Sequence, residues 1–343
     1  MLGFDQRAAR SAWTAALVLL LLWLVYLVRT TLLVFTLALL FAFLLAPLVD
    51  LLDRIVPGRT RTPALALAYL IVVAAAVALG FQLGQRVAEE AAALARKFPA
   101  MAQAWQQPLA GGHSLQAQIL EKVRTEVVAR SSSLISGLPE YSLKILSIAS
   151  NAIYVVIIPV LAFFFLKDGA LIRAHVLGLV EAGPRRALLD ELISDANLLL
   201  AHYMRALVVL SAAAFATYAV FFSVIGVPYA ILLAAAGGLL EFIPLLGPLT
   251  AAVLIILVAA LTGVPLLLIL AFLAVYRAFQ DYILSPHVMG RGVELHPLLI
   301  LFGVFAGAEI AGVAGAFLSV PVLALARIVY LRIRRSRLSA HPA

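Results

Sequence analysis

ALVVLSAAAFATYAVFFSVI, residues 206–225, runs for 20 residues without a charge. An α-helix of that length crosses the roughly 30 Å hydrocarbon core of a bilayer. The next two apolar runs, Tyr229 to Ile243 and Leu249 to Thr262, are too short to cross comfortably, and they flank Pro244-Leu245-Leu246-Gly247-Pro248. One clean span followed by an interrupted pair is the pattern that decides the fold. Outward from it, further runs of spanning length lie at Ala12 to Val28, Leu32 to Leu52, Pro63 to Gly84, Ile145 to Leu166 and Leu266 to Leu284. Pro297 to Leu331 is 35 residues with Gly303, Gly307, Gly312 and Gly315 through its middle. That is too long for one crossing and reads as a second folded-back pair.

Composition agrees. The chain is 64% hydrophobic and 12% charged, whereas a soluble protein is about half apolar and about a quarter charged. There are 25 Lys+Arg against 17 Asp+Glu. In a soluble chain such a surplus would point to nucleic acid. Here it reflects basic residues held on one side of a bilayer, and no nucleic-acid partner is expected. The absence of cysteine excludes disulfides, thiolate metal sites and cysteine nucleophiles. No H-E-x-x-H, G-x-S-x-G or P-loop motif is present, so neither an enzyme nor a self-contained ATP-driven pump is indicated. His287 and His296 flank a short loop without a companion ligand, and they read as loop residues; no metal and no cofactor is expected.

The sequence therefore predicts an all-α, polytopic helical membrane protein. It has about six long transmembrane helices plus two broken or re-entrant helix pairs in the C-terminal half. Residues 1–84 hold the first three helices, and 85–144 form a polar insertion of amphipathic helices outside the bilayer. Residues 145–205 hold the fourth span, ending at Lys167-Asp168-Gly169, and an amphipathic segment. The transport region is 206–331, and 332–343 is a basic tail. Arg7 and Arg10 at one end and Arg332, Arg334, Arg335 and Arg337 at the other place both termini in the cytoplasm. The insertion and the basic segment before Arg205 offer surfaces for a homo-oligomer. The lipid bilayer is the remaining partner.

The two broken pairs echo one another. Ten residues separate Pro228 from Gly238 and Pro297 from Gly307, and six separate Glu241 from Gly247 and Glu309 from Gly315. Only the proline-to-glutamate distance differs, 13 against 12. Interrupted hydrophobic segments at matching places in two halves mark the binding region of secondary transporters. Their exposed backbone groups survive at membrane depth only around a cavity or against protein. The expected tips are Pro244, Gly247 and Pro248 in the first pair, and Gly312 and Gly315 in the second.

Few charges remain inside these runs: Glu241, Arg277, Asp281, Glu309 and Arg327. An ionisable group at membrane depth is a functional candidate because its desolvation is costly. Glu241 and Glu309 sit near the middle of the two pairs, and if the pairs meet, the carboxylates could lie near each other. A carboxyl in that setting can carry a proton or bind a cation. The structural alternative pairs either glutamate with Arg277 or Arg327. Arg277 and Asp281, four apart on one helix, can pair with each other.

Several of these segments resemble one family. GVPYAILL from Gly226, FIPLLGPL from Phe242, ILSPHVMG from Ile283, LHPL from Leu295, GVAGAFLSVP from Gly312 and FLKD from Phe165 occur in the order seen in the AI-2E (autoinducer-2 exporter) family of permeases. There are two departures. Ala206-Leu207 stands where the family usually has Gly-Gln, and many members lack an acidic residue at the place of Glu309. The resemblance implies a multi-pass transporter of the cell inner membrane that exports a small hydrophilic solute such as the autoinducer-2 quorum-sensing signal. Some members are thought to exchange Na⁺ for H⁺, so a cation/proton antiporter is the alternative. A membrane scaffold that transports nothing is the third.

Overall fold

The computed structural model describes residues 6–56, 61–106, 152–289 and 295–340, and these form helices and short connections with no strand among them. The helices are α1 (Gln6–Leu27), α2 (Arg29–Ile55), α3 (Thr62–Gln106), α4 (Ala152–Gly178), α5 (Pro184–Val224), α6 (Ala230–Leu240), α7 (Leu246–Thr262), α8 (Leu266–Phe279), α9 (Ser285–Met289) and α10 (Pro297–Ala340). A π-helical turn, Gln280–Leu284, joins α8 to α9. Among the described residues, six segments are long and apolar enough to cross a membrane: α1, α2, α3, α5, α8 with its continuation, and α10; α6 and α7 are shorter apolar helices. The all-α membrane architecture is as the hydropathy predicts.

Helix ends depart from the ends of the apolar runs. The third span does not stop at Gly84, because α3 is one 45-residue helix that runs on through the polar region to Gln106. Likewise α4 runs through Lys167-Asp168-Gly169 to Gly178, and α5 fuses an amphipathic segment and the fifth span into one 41-residue helix. The reason is the same each time. Ala, Glu, Lys and Arg are good helix formers, so loss of hydrophobicity changes the solvent around a helix without ending it. Residues 107–144 of the expected insertion, the start of the fourth span at 145–151 and the loop at 290–294 lie outside the described residues.

A single buried stripe along α5 organises the core. Leu200, Tyr203, Met204, Leu207, Leu210, Ala214, Tyr218 and Phe222 are buried at helical spacing on one face. The first half of the stripe packs with Leu40 of α2 and Val320 of α10. The second half packs with Leu94 and Phe98 of α3, Leu232 and Leu233 of α6, Ile255 of α7 and Ile269 of α8. A third cluster joins α2, α3 and α4 around Val49, Leu65 and Phe163. Against α1 the chain packs little: its apolar side chains from Trp13 to Leu27 are exposed and available to lipid.

Both predicted breaks are present. Between α6 and α7 the chain turns over Glu241–Leu245, and Gly247 lies so close to the Leu240 carbonyl that no Cβ would fit there. Within α10, Ala311 (φ −142°) and Gly312 (φ 60°, ψ −142°) leave helical geometry. Gly312 occupies a region that L side chains rarely adopt. Beyond it the helix folds back, because Gly307 and Gly315 approach backbone to backbone although eight residues apart. A straight helix would hold them about 12 Å apart.

Candidate functional site

The first hairpin ends beside a polar pocket at the π-helical turn. Glu241, the residue that follows α6, is 7% exposed, and Gln280, which opens the π turn, is 3% exposed. Gln280 Nε2 donates to Glu241 Oε2 at 2.8 Å. The π turn is sealed by the Ser285 N–H, which donates to the Gln280 carbonyl five residues back. π-helical turns inside α-helices are frequent at functional sites, and here Gln280 and Asp281 of the turn and Ser285 just after it line one cavity.

That cavity measures about 170 Å³, roomy enough for several waters. Tyr203, Leu207 and Leu210 of α5 form one wall, and Glu241, Pro244, Leu245 and Pro248 of the first hairpin form another. Arg277 joins the polar residues of the π turn, while Ile300 and Val320 of α10 close the apolar side. Arg277 Nε donates to Asp281 Oδ2 at 2.8 Å, the (i, i+4) pair that the sequence spacing allowed. These two charges neutralise each other. Glu241 is left with a neutral amide as its hydrogen-bond partner.

The hairpin tip itself is strained. Leu245 has φ 67° and ψ −56°, and the Leu246 N–H donates to the Pro244 carbonyl at 2.8 Å across it. This is a γ-turn of the rare positive-φ form. Strain of this kind is held in place by surrounding structure and gathers at binding sites and switches. Of the expected tip residues, Pro244 lies in the turn, and Gly247 and Pro248 lie in the first turn of α7, where a proline costs no hydrogen bond.

The two hairpins meet, but the two glutamates do not. Phe242 and Phe317 bring the tips together with ring centroids 6.0 Å apart. Glu309, by contrast, is exposed and lines no part of the Glu241 cavity. Glu241 follows the last residue of α6 and belongs to the turn, whereas Glu309 still stands within the helix, two residues before the break at Ala311. Arg327 is half-buried on the far limb of α10 and also lies outside the cavity lining. His287 Nδ1 lies 2.6 Å from the Ile283 carbonyl, and His296 Nδ1 accepts the Leu298 N–H at 3.2 Å at the start of α10. On the other side of the tips an apolar cavity of about 780 Å³ lies among α2, α4, α5 and both hairpins, bordered by Leu40, Phe242, Ile243 and Phe317.

Sequence reasoning missed three contributors. Gln280 carries no charge to mark it within its apolar run, and Tyr203 lies before the fifth span, in the amphipathic segment. Gln280 was nonetheless the lone side-chain amide in its span. Glu90 escaped because it sits in the polar continuation of α3, where carboxylates are common. Its Oε2 accepts the Leu232 N–H at 2.8 Å, capping α6, whose own N-cap Tyr229 makes no side-chain bond.

A body of long apolar helices around two broken helix pairs, beside a buried carboxylate, is the build of a membrane transport protein. Residues 15–335 match the family model of the AI-2E family transporters, and the chain belongs to that family. It is similar to "Putative transport protein YrrI" of Bacillus subtilis (strain 168), 29% identical over 52% of this chain and 51% of that protein. It is also similar to "Putative transport protein YueF" of the same organism, 23% identical over 85% of this chain and 81% of the relative. With "Putative transport protein MT0215" of Mycobacterium tuberculosis it shares 40% identity over 30% of this chain and 28% of the other. The chain thus spans about half the length of YrrI and under a third of MT0215.

Proposed function

We propose that this chain is a secondary transporter that moves a small hydrophilic solute, such as the autoinducer-2 signal, through the region between the two hairpins, with Glu241 as the proton- or cation-carrying group. It would reside in the cell inner membrane with both termini cytoplasmic, as the Arg-rich ends indicate. The observation that carries the reading is the Glu241–Gln280 hydrogen bond, buried in a cavity at the tip of a broken helix. A primary amide can donate its NH₂ to a carboxylate, or accept from a carboxylic acid after turning over. The pair therefore keeps a hydrogen bond in both protonation states, as a group that gains and loses a proton during transport requires. Arg277, the arginine that lines the cavity, is engaged by Asp281.

Reconstitution in proteoliposomes tests this, with solute efflux and internal pH followed together. Glu241→Gln is expected to abolish pH-coupled flux while the protein stays folded and inserted. Unchanged flux and pH dependence in this variant would sink the reading. Glu309→Gln, on an exposed position, is the companion variant that asks whether a second carboxyl takes part.

A second reading, cation/proton antiport without an organic solute, is favoured by the small size of the cavity, about 170 Å³, and by Glu241, the carboxyl left over once Arg277 offsets Asp281. Proton movement driven by a Na⁺ gradient alone would select it. A scaffold would move neither.

A further inference from the structure

Burying a hydroxyl without a hydrogen-bond partner costs roughly 1–3 kcal/mol, and native proteins pair nearly all such groups. Among the described residues, two side-chain polar atoms are buried without a partner, the hydroxyls of Tyr203 and Tyr276. Their surroundings differ. Tyr276 stands in an aromatic cluster, 5.0 Å from the Tyr218 ring centroid and flanked by Phe272, and the Glu241 cavity does not reach it. Tyr203 is 4% exposed and lines the Glu241 cavity from α5. Its neighbours along that wall, Leu207 and Leu210, offer it nothing polar.

We infer that the Tyr203 hydroxyl is a contact residue of the transport pathway, hydrogen-bonding the hydroxyl-bearing species that occupies the Glu241 cavity. This rests on the reading of that cavity as the transport site, and it adds a residue that neither charge nor family motif singles out. A phenol both donates and accepts. Glu241, with one carboxyl oxygen engaged by Gln280, and Ser285 line the same cavity. An occupant that satisfies this set must also donate and accept, as water or a solute hydroxyl does. Such an occupant turns the unpaired phenol into a bond made only while the cavity is filled. Leu207, Leu210, Ile300 and Val320 face any carbon skeleton the occupant carries.

The test compares Tyr203→Phe with Tyr276→Phe in the full chain, each removing one hydroxyl and no ring. Neither should lower the thermal unfolding midpoint in detergent, because neither hydroxyl has a protein partner. In proteoliposomes, proton flux is read with a trapped pH dye, without solute and under a xylitol gradient. Tyr203→Phe is expected to lower flux or raise KM roughly threefold to tenfold, the worth of one hydrogen bond, and Tyr276→Phe, whose hydroxyl lies within electrostatic reach of Glu241 but off the cavity lining, to change KM less. An effect without xylitol assigns the partner as water, and an effect only with it assigns a solute hydroxyl. Parent-like flux and KM in Tyr203→Phe would overturn the inference, as would a lowered unfolding midpoint. Should the parent move neither probe, infrared difference spectra of parent minus Tyr203→Phe decide. A hydrogen-bonded phenol band that exchanges rapidly in D₂O upholds the contact, and a free, unexchanging one overturns it. Glu241→Gln, run alongside, separates the two ideas, since loss of pH coupling there with a silent Tyr203→Phe removes this inference alone.

Discussion

Glu90 and Leu232 are 142 residues apart in sequence and joined by a 2.8 Å hydrogen bond from the Leu232 N–H to the Glu90 carboxylate. A helix start leaves its first N–H groups unpaired, and α6 has no cap of its own. The cap comes instead from α3, so the long polar-ended helix holds the base of the first hairpin. Glu90→Ala should destabilise the protein by about 1 kcal/mol, the usual cost of a lost N-cap. Glu90→Gln, which keeps an acceptor oxygen, should lose less. Denaturant midpoints of the detergent-solubilised protein check this, and equal midpoints for all three proteins would refute the cap.

The second hairpin depends on glycine for a different reason. A Cβ on Gly315 would fall on the Gly307 carbonyl, and one on Gly307 on the Gly315 carbonyl. Gly315→Ala should therefore splay the limbs of α10 and abolish transport. Gly84→Ala, in a helix with nothing within 4 Å of the added carbon, should stabilise by up to about 1 kcal/mol. Transport at the parent rate by Gly315→Ala would show that the close approach is dispensable.

Gln280 has the cleanest signature in flux. Gln280→Leu keeps volume and burial but leaves Glu241 with no donor. Hydrogen bonds to charged groups are worth about 1.5–3 kcal/mol, and 1.36 kcal/mol corresponds to one pH unit. The pH of half-maximal flux should move by about a unit or more, and flux at the parent's optimum should fall about tenfold. A pH profile superimposable on the parent's would contradict the pairing.

At the polar end of α5, Arg332 of α10 donates to Asp195 at 2.7 Å and to Glu191 at 2.5 Å. On the same part of α5, Arg173 of α4 donates to Asp190 at 2.9 and 2.7 Å. Arg332→Asp should lower the unfolding midpoint by placing like charges together, and Arg332→Asp with Asp195→Arg should recover part of the loss. High salt should shrink both effects. Failure of the double variant to recover anything would mean that the contact contributes through packing alone.

Much of this architecture could be read from the chain. Uncharged runs of spanning length gave the helices, and matched Pro, Gly and Glu positions gave both hairpins, because an unpaired backbone is so costly in lipid that its breaks must be signposted. The helix ends were less legible, since hydropathy reports the solvent around residues such as Lys167 and Asp168 and not their backbone. Glu241 was found through its charge. Gln280 and Tyr203 carry none, and the spacing from proline did not reveal that Glu241 would fall in a turn while Glu309 stayed within a helix. The γ-turn at Leu245 leaves no mark at all, as leucine has no preference for positive φ.

The unbroken run of α5 has a mechanical side. Its 41 residues make a rod roughly 60 Å long, about twice the roughly 30 Å hydrocarbon thickness of a bilayer. The carboxylates that tether α4 and α10 sit near one end, and the face that meets the first hairpin sits near the other. Tyr203 lies between them, midway along the rod. A torque applied by anything that engages the acidic end would be delivered through this lever to the wall of the Glu241 cavity, with no intervening joint to absorb it.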